Sequence, residues 1–209
     1  MGAQPHLARL RLHFLLSAID ACRLGGAAAS GRLSPPASCE LLDLGCGEGW
    51  FAAEAASAGA EVLAADVGRE PLRRAALLHP HLRLVQIDPC APLPFEDASF
   101  HIVWASEVIE HVPDTASWLS EVRRVLRPSG KLLITTPAHE PLALLRGALM
   151  PSAFAREFDP RSDHLRFYNR RSLRALLAEF RFTEVSISTA CGLWGARAIM
   201  LASARRQRF

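Results

Sequence analysis

Apolar positions along residues 40–137 alternate between short continuous runs and stretches in which they recur every three or four residues. The stretches 49–59, 69–79 and 114–127 have helical spacing, and Asp114 with Thr115 supplies an N-cap for the last of them. Strand following helix in this way predicts a parallel sheet with helices on both faces. The runs predicted as strands are ELLDL (40–44), EVLAADV (61–67), LRLVQI (82–87), FHIVWA (100–105) and KLLITT (131–136).

Apolar positions outside this region predict further helices and strands. The spacing of Leu7, Phe14 and Leu15 predicts an amphipathic helix over residues 6–24 that ends at Gly25-Gly26, and the Gly, Ala, Ser and Pro residues of 25–38 predict a linker. Downstream, a helix is predicted at 172–180 and two last strands at 182–188 and 196–204. We therefore expect an α/β protein with a Rossmann-like, doubly wound sheet, and one domain over residues 1–209.

Composition narrows the functional classes. The chain has 209 residues, 50% of them hydrophobic, and a net charge of +3, which suit one ordinary core and argue against disorder or a nucleic-acid-binding arm. Five cysteines without any C-x-x-C pair argue against a disulfide framework or a zinc ribbon. The N-terminal apolar run is a poor signal peptide, and no stretch approaches the roughly 20 apolar residues of a membrane span. The expected location is the cytoplasm, and the oligomeric state stays open.

The segment LDLGCGEGW (42–50) follows the first predicted strand and opens a helix. Gly45, Gly47 and Gly49 therefore lie at the turn where an α/β sheet binds its ligand, and the missing side chains allow a close approach of the backbone. Their spacing differs from the G-x-G-x-x-G of dinucleotide binders, whose loop serves a pyrophosphate.

Acidic residues accompany three successive strands. Asp43 lies just before the glycine loop, where it can orient the loop and a ligand ammonium group. Asp66 ends the second predicted strand, roughly twenty residues past the first glycine, and can accept hydrogen bonds from two ribose hydroxyls. Asp88 ends the third predicted strand and is placed to accept from an adenine amino group. Together these residues predict a site for a nucleoside ligand without a phosphate.

The motifs DLGCGEG, AADV, IDPCAPLPFEDASFHIVWASEVIEHVPD and LSEVRRVLRPSGKLLITTP closely resemble those of class I methyltransferases, particularly the branch of the ubiquinone-biosynthesis O-methyltransferases. Segment 163–182 resembles the later part of that branch, except that Arg181 stands where many relatives have glycine. The resemblance implies a seven-stranded sheet with one antiparallel strand and S-adenosylmethionine as the cofactor. The expected cofactor-binding residues are Asp43, Gly45, Cys46, Gly47, Gly49, Asp66, Val67, Asp88, Pro89 and Ser106.

The run Ser106-Glu107-Val108-Ile109-Glu110-His111 follows the fourth predicted strand, where substrate and cofactor meet in this fold. On a short helical turn Glu107, Glu110 and His111 stand at i, i+3 and i+4 and can share one face. The E-x-x-E-H run resembles that of ubiquinone-type O-methyltransferases. We expect either that His111 is a general base or that these three residues hold Mg²⁺. A role in packing and hydrogen bonding is an equal alternative.

Acceptor contacts are expected in the insertion 138–170, which is either a lid or a plain packed connection, and in the N-terminal helix. Its candidate polar contacts are Arg146, Arg156, His164 and Tyr168. The expected reaction is in-line methyl transfer to a small molecule, with oxygen preferred over carbon or nitrogen.

Three other functions are alternatives to methyl transfer to a small molecule. A nicotinamide-dependent oxidoreductase shares the fold, but the glycine spacing and Asp88 disfavour it. The basic run 205–208 suggests a nucleic-acid methyltransferase. Base-modifying members commonly carry Asn-Pro-Pro-aromatic after the fourth strand, whereas this chain has Ser106-Glu107-Val108-Ile109 there. No nucleic-acid partner is therefore expected. A binding protein without catalysis is the third.

Overall fold

The computed structural model describes residues 5–30, 38–141, 149, 158–159, 161–190 and 198–208. Seven strands and five helices are found in this part of the chain. The strands are β1 (Cys39–Leu44), β2 (Ala60–Asp66), β3 (Arg83–Gln86), β4 (Phe100–Ser106), β5 (Leu126–Pro137), β6 (Phe182–Ala190) and β7 (Ile199–Arg206). The helices are α1 (Pro5–Ser30), α2 (Trp50–Ser57), α3 (Arg69–Leu78), α4 (Thr115–Val125) and α5 (Arg170–Glu179).

The strands form one sheet in the order β3-β2-β1-β4-β5-β7-β6. The pairs among β1 to β5 are parallel, whereas β7 is antiparallel to both β5 and β6. The expected α/β sheet with one antiparallel strand is therefore confirmed. Because β1 has β2 on one side and β4 on the other, the strand order reverses there and opens a crevice at the carboxyl ends of these strands.

Helices cover both faces of the sheet, and each face has its own apolar cluster. On one face, buried residues of α4 and α5 such as Leu119, Val122 and Leu173 pack on Leu42 and Val103. On the other face, α1 and α2 pack on the strand residues that alternate with those of the first cluster. The helix residues are Leu15, Ile19, Ala52 and Ala55, and the strand residues are Leu41, Ile102 and Trp104. The period of two along each strand assigns neighbouring residues to opposite faces.

Several element boundaries differ from those predicted, including those of α1, β3, β5 and β7, the last of which covers Ile199–Arg206 where 196–204 was predicted. Helix α1 continues past Gly25-Gly26 to Ser30, and β3 ends at Gln86, so Asp88 follows the strand by two residues. Strand β5 begins at Leu126, directly after α4, because Leu126 pairs with Phe100 before the register shifts. None of the described helices combines the length and the apolar character that crossing a bilayer requires.

The segment that precedes α5 is tied to the loop that follows β4. The amides of Leu165 and Arg166 donate to the Glu110 carbonyl at 2.8 and 3.2 Å. The Arg166 guanidinium donates to the carbonyls of Val112 and Pro113. These bonds hold residues 163–168 against one wall of the crevice.

Candidate functional site

The glycine loop bends sharply across the end of β2. The amides of Gly45 and Cys46 both donate to the Ala65 carbonyl, at 2.8 and 3.0 Å. Gly45 has φ +84°, and a Cβ atom there would lie 2.4 Å from Cγ2 of Val108, so no larger residue fits without displacing the β4 loop. Gly47 has φ +56° and open space around its missing side chain. The loop therefore brings bare main chain to the crevice.

Asp66 fixes the loop to the start of α3. Its Oδ2 accepts from the Gly47 amide at 2.8 Å and its Oδ1 from the Gly68 amide at 2.7 Å. A carboxylate oxygen can accept more than one hydrogen bond, so both oxygens keep acceptor capacity toward the crevice that Asp66 lines. This geometry suits the predicted contact to a pair of hydroxyl groups.

Asp43 lies beneath the loop, with only 2% of its surface exposed. Burial raises the pKa of Asp43 to about 7, and the nearby Asp66 carboxylate adds to the rise, while a hydrogen bond from the Ala52 amide opposes it. Its Oδ2 is buried without a hydrogen-bond partner. The side chain thus joins the end of β1 to α2 and keeps one acceptor unused.

A cleft of about 1060 Å³ opens at the carboxyl ends of the strands. Among the predicted cofactor-binding residues, Gly45, Asp66, Val67, Asp88 and Pro89 line it. The other five are not among its lining residues. Gly49 is buried, and a Cβ atom there would press on Leu82 and Ala75. The hydroxyl of Ser106 is 2.8 Å from that of Thr135. The remaining three are Asp43, Cys46 and Gly47.

The cleft is acidic. Six carboxylate side chains line it, and the described lining residues include no lysine or arginine. Glu107 is paired with Arg11 and Glu121 with Arg124, and the other four carboxylates leave a negative surplus that attracts a cationic ligand and repels phosphate groups. The six residues are Asp66, Asp88, Glu107, Asp114, Glu121 and Asp163.

Glu107 does not share a helical face with Glu110 and His111, because the chain leaves β4 through a different conformation. Glu107 has φ +56°, which is uncommon for a residue with a side chain. Its amide donates to the Thr135 carbonyl at 2.8 Å, and its Oε1 accepts from the Thr135 hydroxyl at 3.1 Å. Its Oε2 lies 3.4 Å from a guanidinium nitrogen of Arg11. The expected three-residue face is therefore wrong in its geometry.

Glu110 is almost fully buried, with 1% of its surface exposed. Its Oε2 accepts from the Thr136 hydroxyl at 2.9 Å, whereas its Oε1 has no hydrogen-bond partner. Burial raises the pKa of Glu110 to about 8, and the Glu107 carboxylate adds to the rise; the Thr136 hydrogen bond and the Arg11 cation oppose it. Glu110 therefore carries a proton over much of the neutral range.

His111 lines the cleft beside Glu110. Its Nδ1 lies 3.1 Å from the Asp163 carbonyl, and because a carbonyl can only accept, this nitrogen carries the proton in the neutral ring. Nε2 is then the lone-pair nitrogen, 4.0 Å from Oε1 of Glu110. The His164 ring stands edge to face with that of His111, with centroids 4.8 Å apart.

Ligand atoms of Glu110, His111 and His164 lie within 4.8 Å of one another, a group that could hold a metal ion. Glu107 is not in this group. Two imidazoles and one carboxylate suit a transition metal better than Mg²⁺, which prefers oxygen ligands. The donor set found differs in this respect from the one predicted for magnesium.

The predicted acceptor contacts lie in different surroundings. Tyr168 is only 6% exposed and belongs to the apolar cluster with Leu173, so it is a core residue and not a wall of the cleft. His164 lies next to His111, as described above. Arg146 and Arg156 lie outside the described residues, as does the rest of 142–148 and 150–157 in the insertion 138–170.

Several residues at the site were missed by sequence reasoning. Val108 and Asp163 line the cleft, and each adjoins a motif residue that was singled out. Trp118 and Glu121 of α4 line it as well, although α4 was considered only as a helix. Arg11 of α1 is the one farthest along the sequence from the motif residues. Its signal in the sequence is a charge between Leu7 and Leu15, within the apolar face of the predicted N-terminal helix.

Comparison with known proteins agrees with this geometry. Residues 42–134 match the family model described as a methyltransferase domain. The chain is 36% identical to the malonyl-[acyl-carrier protein] O-methyltransferase of Erwinia billingiae over 54% of its length and 44% of that protein. It is also 36% identical to the ubiquinone biosynthesis O-methyltransferase of Aeromonas salmonicida, over 50% of its length and 46% of that protein. The chain thus spans about half the length of these relatives.

A solved structure shows the same fold. The S-adenosylmethionine-dependent methyltransferase of Mesorhizobium loti superposes with a TM-score of 0.64 and 20% identity, over 81% of this chain and 91% of that one. At this identity the likeness concerns the fold alone. The family match to 42–134 does not support the nicotinamide-dependent alternative.

Proposed function

Because the chain belongs to the class I S-adenosylmethionine-dependent methyltransferases, we propose that it transfers a methyl group to an oxygen atom of a small-molecule acceptor. The observation that carries the proposal is the position of His111, whose Nε2 is a lone-pair nitrogen at the wall of a cleft that suits this cofactor.

The residues of the cleft fit the cofactor. S-adenosylmethionine, when bound, supplies a methyl group already activated by a sulfonium. Its sulfonium and ammonium outweigh its carboxylate, which suits a described lining with six carboxylates, two of them paired with arginines, and no lysine or arginine of its own. Asp66 would accept from the ribose hydroxyls and Asp88 from the adenine amino group, since both line the cleft. The buried Asp43 would orient the loop without touching the ligand.

His111 would take the proton from an acceptor hydroxyl. A phenol with an ordinary pKa near 10 is a weak nucleophile at neutral pH, so a base in the cleft assists its attack. The Asp163 carbonyl fixes the ring and its tautomer, and Glu110 provides a second protonatable group at 4.0 Å from Nε2. The curated relatives compared above are both named O-methyltransferases, which supports oxygen as the target.

A nucleic-acid acceptor is disfavoured by charge. A duplex or a single strand carries a phosphate at every nucleotide, and its binding depends on neutralisation by lysine and arginine. The described wall of this cleft has carboxylates in their place. A flipped base would therefore have to enter past a lining that repels its own backbone.

The cofactor assignment is tested by calorimetry with S-adenosylhomocysteine and, separately, NAD. We expect binding of the first and none of the second. Asp66→Asn should weaken the binding about 10- to 100-fold, since it removes a charged acceptor. Asp20→Asn, at an exposed position of α1, is the control and should leave the binding unchanged. Equal affinities of the wild type and Asp66→Asn would contradict the assigned role.

The acceptor is tested with S-adenosylmethionine labelled in the methyl group and a panel comprising a catechol, a monophenol, an aliphatic carboxylic acid, a primary amine and a single-stranded oligonucleotide. We expect label on a hydroxyl compound. His111→Gln should lower turnover about 10²- to 10⁴-fold with cofactor affinity intact, whereas His13→Gln, exposed on α1, should change neither. Label on the oligonucleotide alone would overturn the proposal. Loss of activity with a chelator, restored by Mg²⁺, would contradict the role of His111 as base.

A further inference from the structure

Helix α1 directs one charged side chain toward the cleft. Leu7, Arg11 and Leu15 follow one another at intervals of four and lie on one helical face. Leu7 and Leu15 are 6% and 0% exposed, so this face packs against the body of the protein. The Arg11 side chain is 20% exposed, and its Nε is buried without a hydrogen-bond partner. A guanidinium placed within an apolar contact needs a compensating anion.

That anion is Glu107, which lines the cleft. Arg11 Nη2 lies 3.4 Å from one oxygen of the Glu107 carboxylate, and the Thr135 hydroxyl donates to the other at 3.1 Å. The backbone of Glu107 is in the left-handed region, a conformation that persists only where its surroundings hold it. Arg11 and Thr135 hold the side chain from opposite elements, α1 and β5.

The conformation of Glu107 affects the glycine loop through the next residue. Val108 Cγ2 occupies the space where a side chain of Gly45 would be. A change in the backbone at Glu107 would therefore move Val108 away from or into the loop. The Glu107 carboxylate also lies close enough to Glu110 to raise the pKa of Glu110, and the Arg11 cation opposes that rise.

We propose that Arg11 is a positioning residue, which holds the Glu107 carboxylate and backbone in the arrangement that shapes the cofactor side of the cleft. Helix α1 is then a component of the site, although it lies outside residues 42–134 that match the family model. The inference rests on one part of the proposed function, namely that the cleft binds S-adenosylmethionine.

The experiment is calorimetric binding of S-adenosylhomocysteine to the full chain. We expect Arg11→Gln to weaken the binding about three- to tenfold, as loss of a partly buried ion pair would, and Arg11→Lys to restore part of it. Arg9→Gln, at an exposed position two residues away, is the matched control and should leave the affinity unchanged. Unchanged affinity in Arg11→Gln would overturn the inference.

A double-mutant cycle with Glu107→Gln separates positioning from a general effect on the fold. If Arg11 acts through Glu107, Arg11→Gln should have no further effect in the Glu107→Gln background. The same loss in both backgrounds would overturn the inference. Should Arg11→Gln fail to fold, Arg11→Lys carries the cycle in its place. Absence of binding by the wild type would instead contradict the proposed function, so the two failures are distinguishable.

Discussion

Substitution of Gly45 and Gly47 by alanine separates two costs that glycine avoids in this loop. Both residues have positive φ, of +84° and +56°, so an alanine at either position pays for a left-handed backbone. Only at Gly45 does the new methyl group also meet another atom, Cγ2 of Val108, at 2.4 Å. At Gly47 no atom lies within 4 Å. The pair is therefore matched in backbone and differs in packing.

The expected losses follow from these two terms. The left-handed conformation costs an L-residue about 1–2 kcal/mol. Overpacking in a well-packed site adds about 1–3 kcal/mol. We therefore expect the free energy of unfolding to fall by about 1–2 kcal/mol in Gly47→Ala and about 2–5 kcal/mol in Gly45→Ala. Urea denaturation without ligand measures both, so the result does not depend on the function assigned to the cleft.

Val108→Ala provides the rescue. It removes the methyl group at 2.4 Å and leaves the Val108 Cβ, which a Cβ at Gly45 would meet at an ordinary 3.6 Å. The double variant should thus be less destabilised than the sum of the two single variants, by about the 1–3 kcal/mol of the overlap. Equal losses in the two glycine variants, or strict additivity with Val108→Ala, would refute this account of the loop.

Three further predictions concern stability. The pKa of Glu110 is raised to about 8, so the folded state binds a proton more tightly than the unfolded state does. The free energy of unfolding should therefore fall by a few kcal/mol as pH rises from about 4.5 to 8. Urea melts at several pH values measure this dependence, and Glu110→Gln should flatten it. Arg181 has φ +58°, so Arg181→Gly should stabilise the fold by about 0.5–2 kcal/mol and Arg181→Ala should not, as measured by thermal unfolding. The Arg124 guanidinium donates to the carbonyls of Leu93 and Phe95, so Arg124→Lys should destabilise by about 1–3 kcal/mol, and an unchanged urea midpoint would contradict this.

The regular parts of the fold could be predicted because they follow from local periodicity. The five parallel strands occur where continuous apolar runs were found, and Asp114 caps α4 by accepting from the Ser117 amide at 3.0 Å. Boundaries set by tertiary contacts could not be found in this way. Strand β5 begins at Leu126 because that residue pairs with Phe100, a partner 26 positions away. Helix α1 passes through Gly25-Gly26, where local propensity favours an end.

The site was predictable in its outline and not in its details. Asp66 and Gly45 could be placed because the carboxyl ends of parallel strands converge at one edge of the sheet. The E-x-x-E-H run was treated as helical, yet Glu107 takes a left-handed conformation that depends on Thr135 and Arg11. Tyr168 was predicted as a polar contact of the acceptor and is part of the core. Such outcomes depend on contacts between distant segments, which periodicity does not encode.

The position of β7 between β5 and β6 has a consequence for biosynthesis. During translation β5 and β6 leave the ribosome before the strand that joins them exists. The edge of β5 stays unpaired over that interval, and an unpaired edge is a template for association with other chains. β6 can enter the sheet only once β7 has been made, because β7 lies between β5 and β6. The strand that is synthesised last is therefore needed before the earlier one can join the sheet.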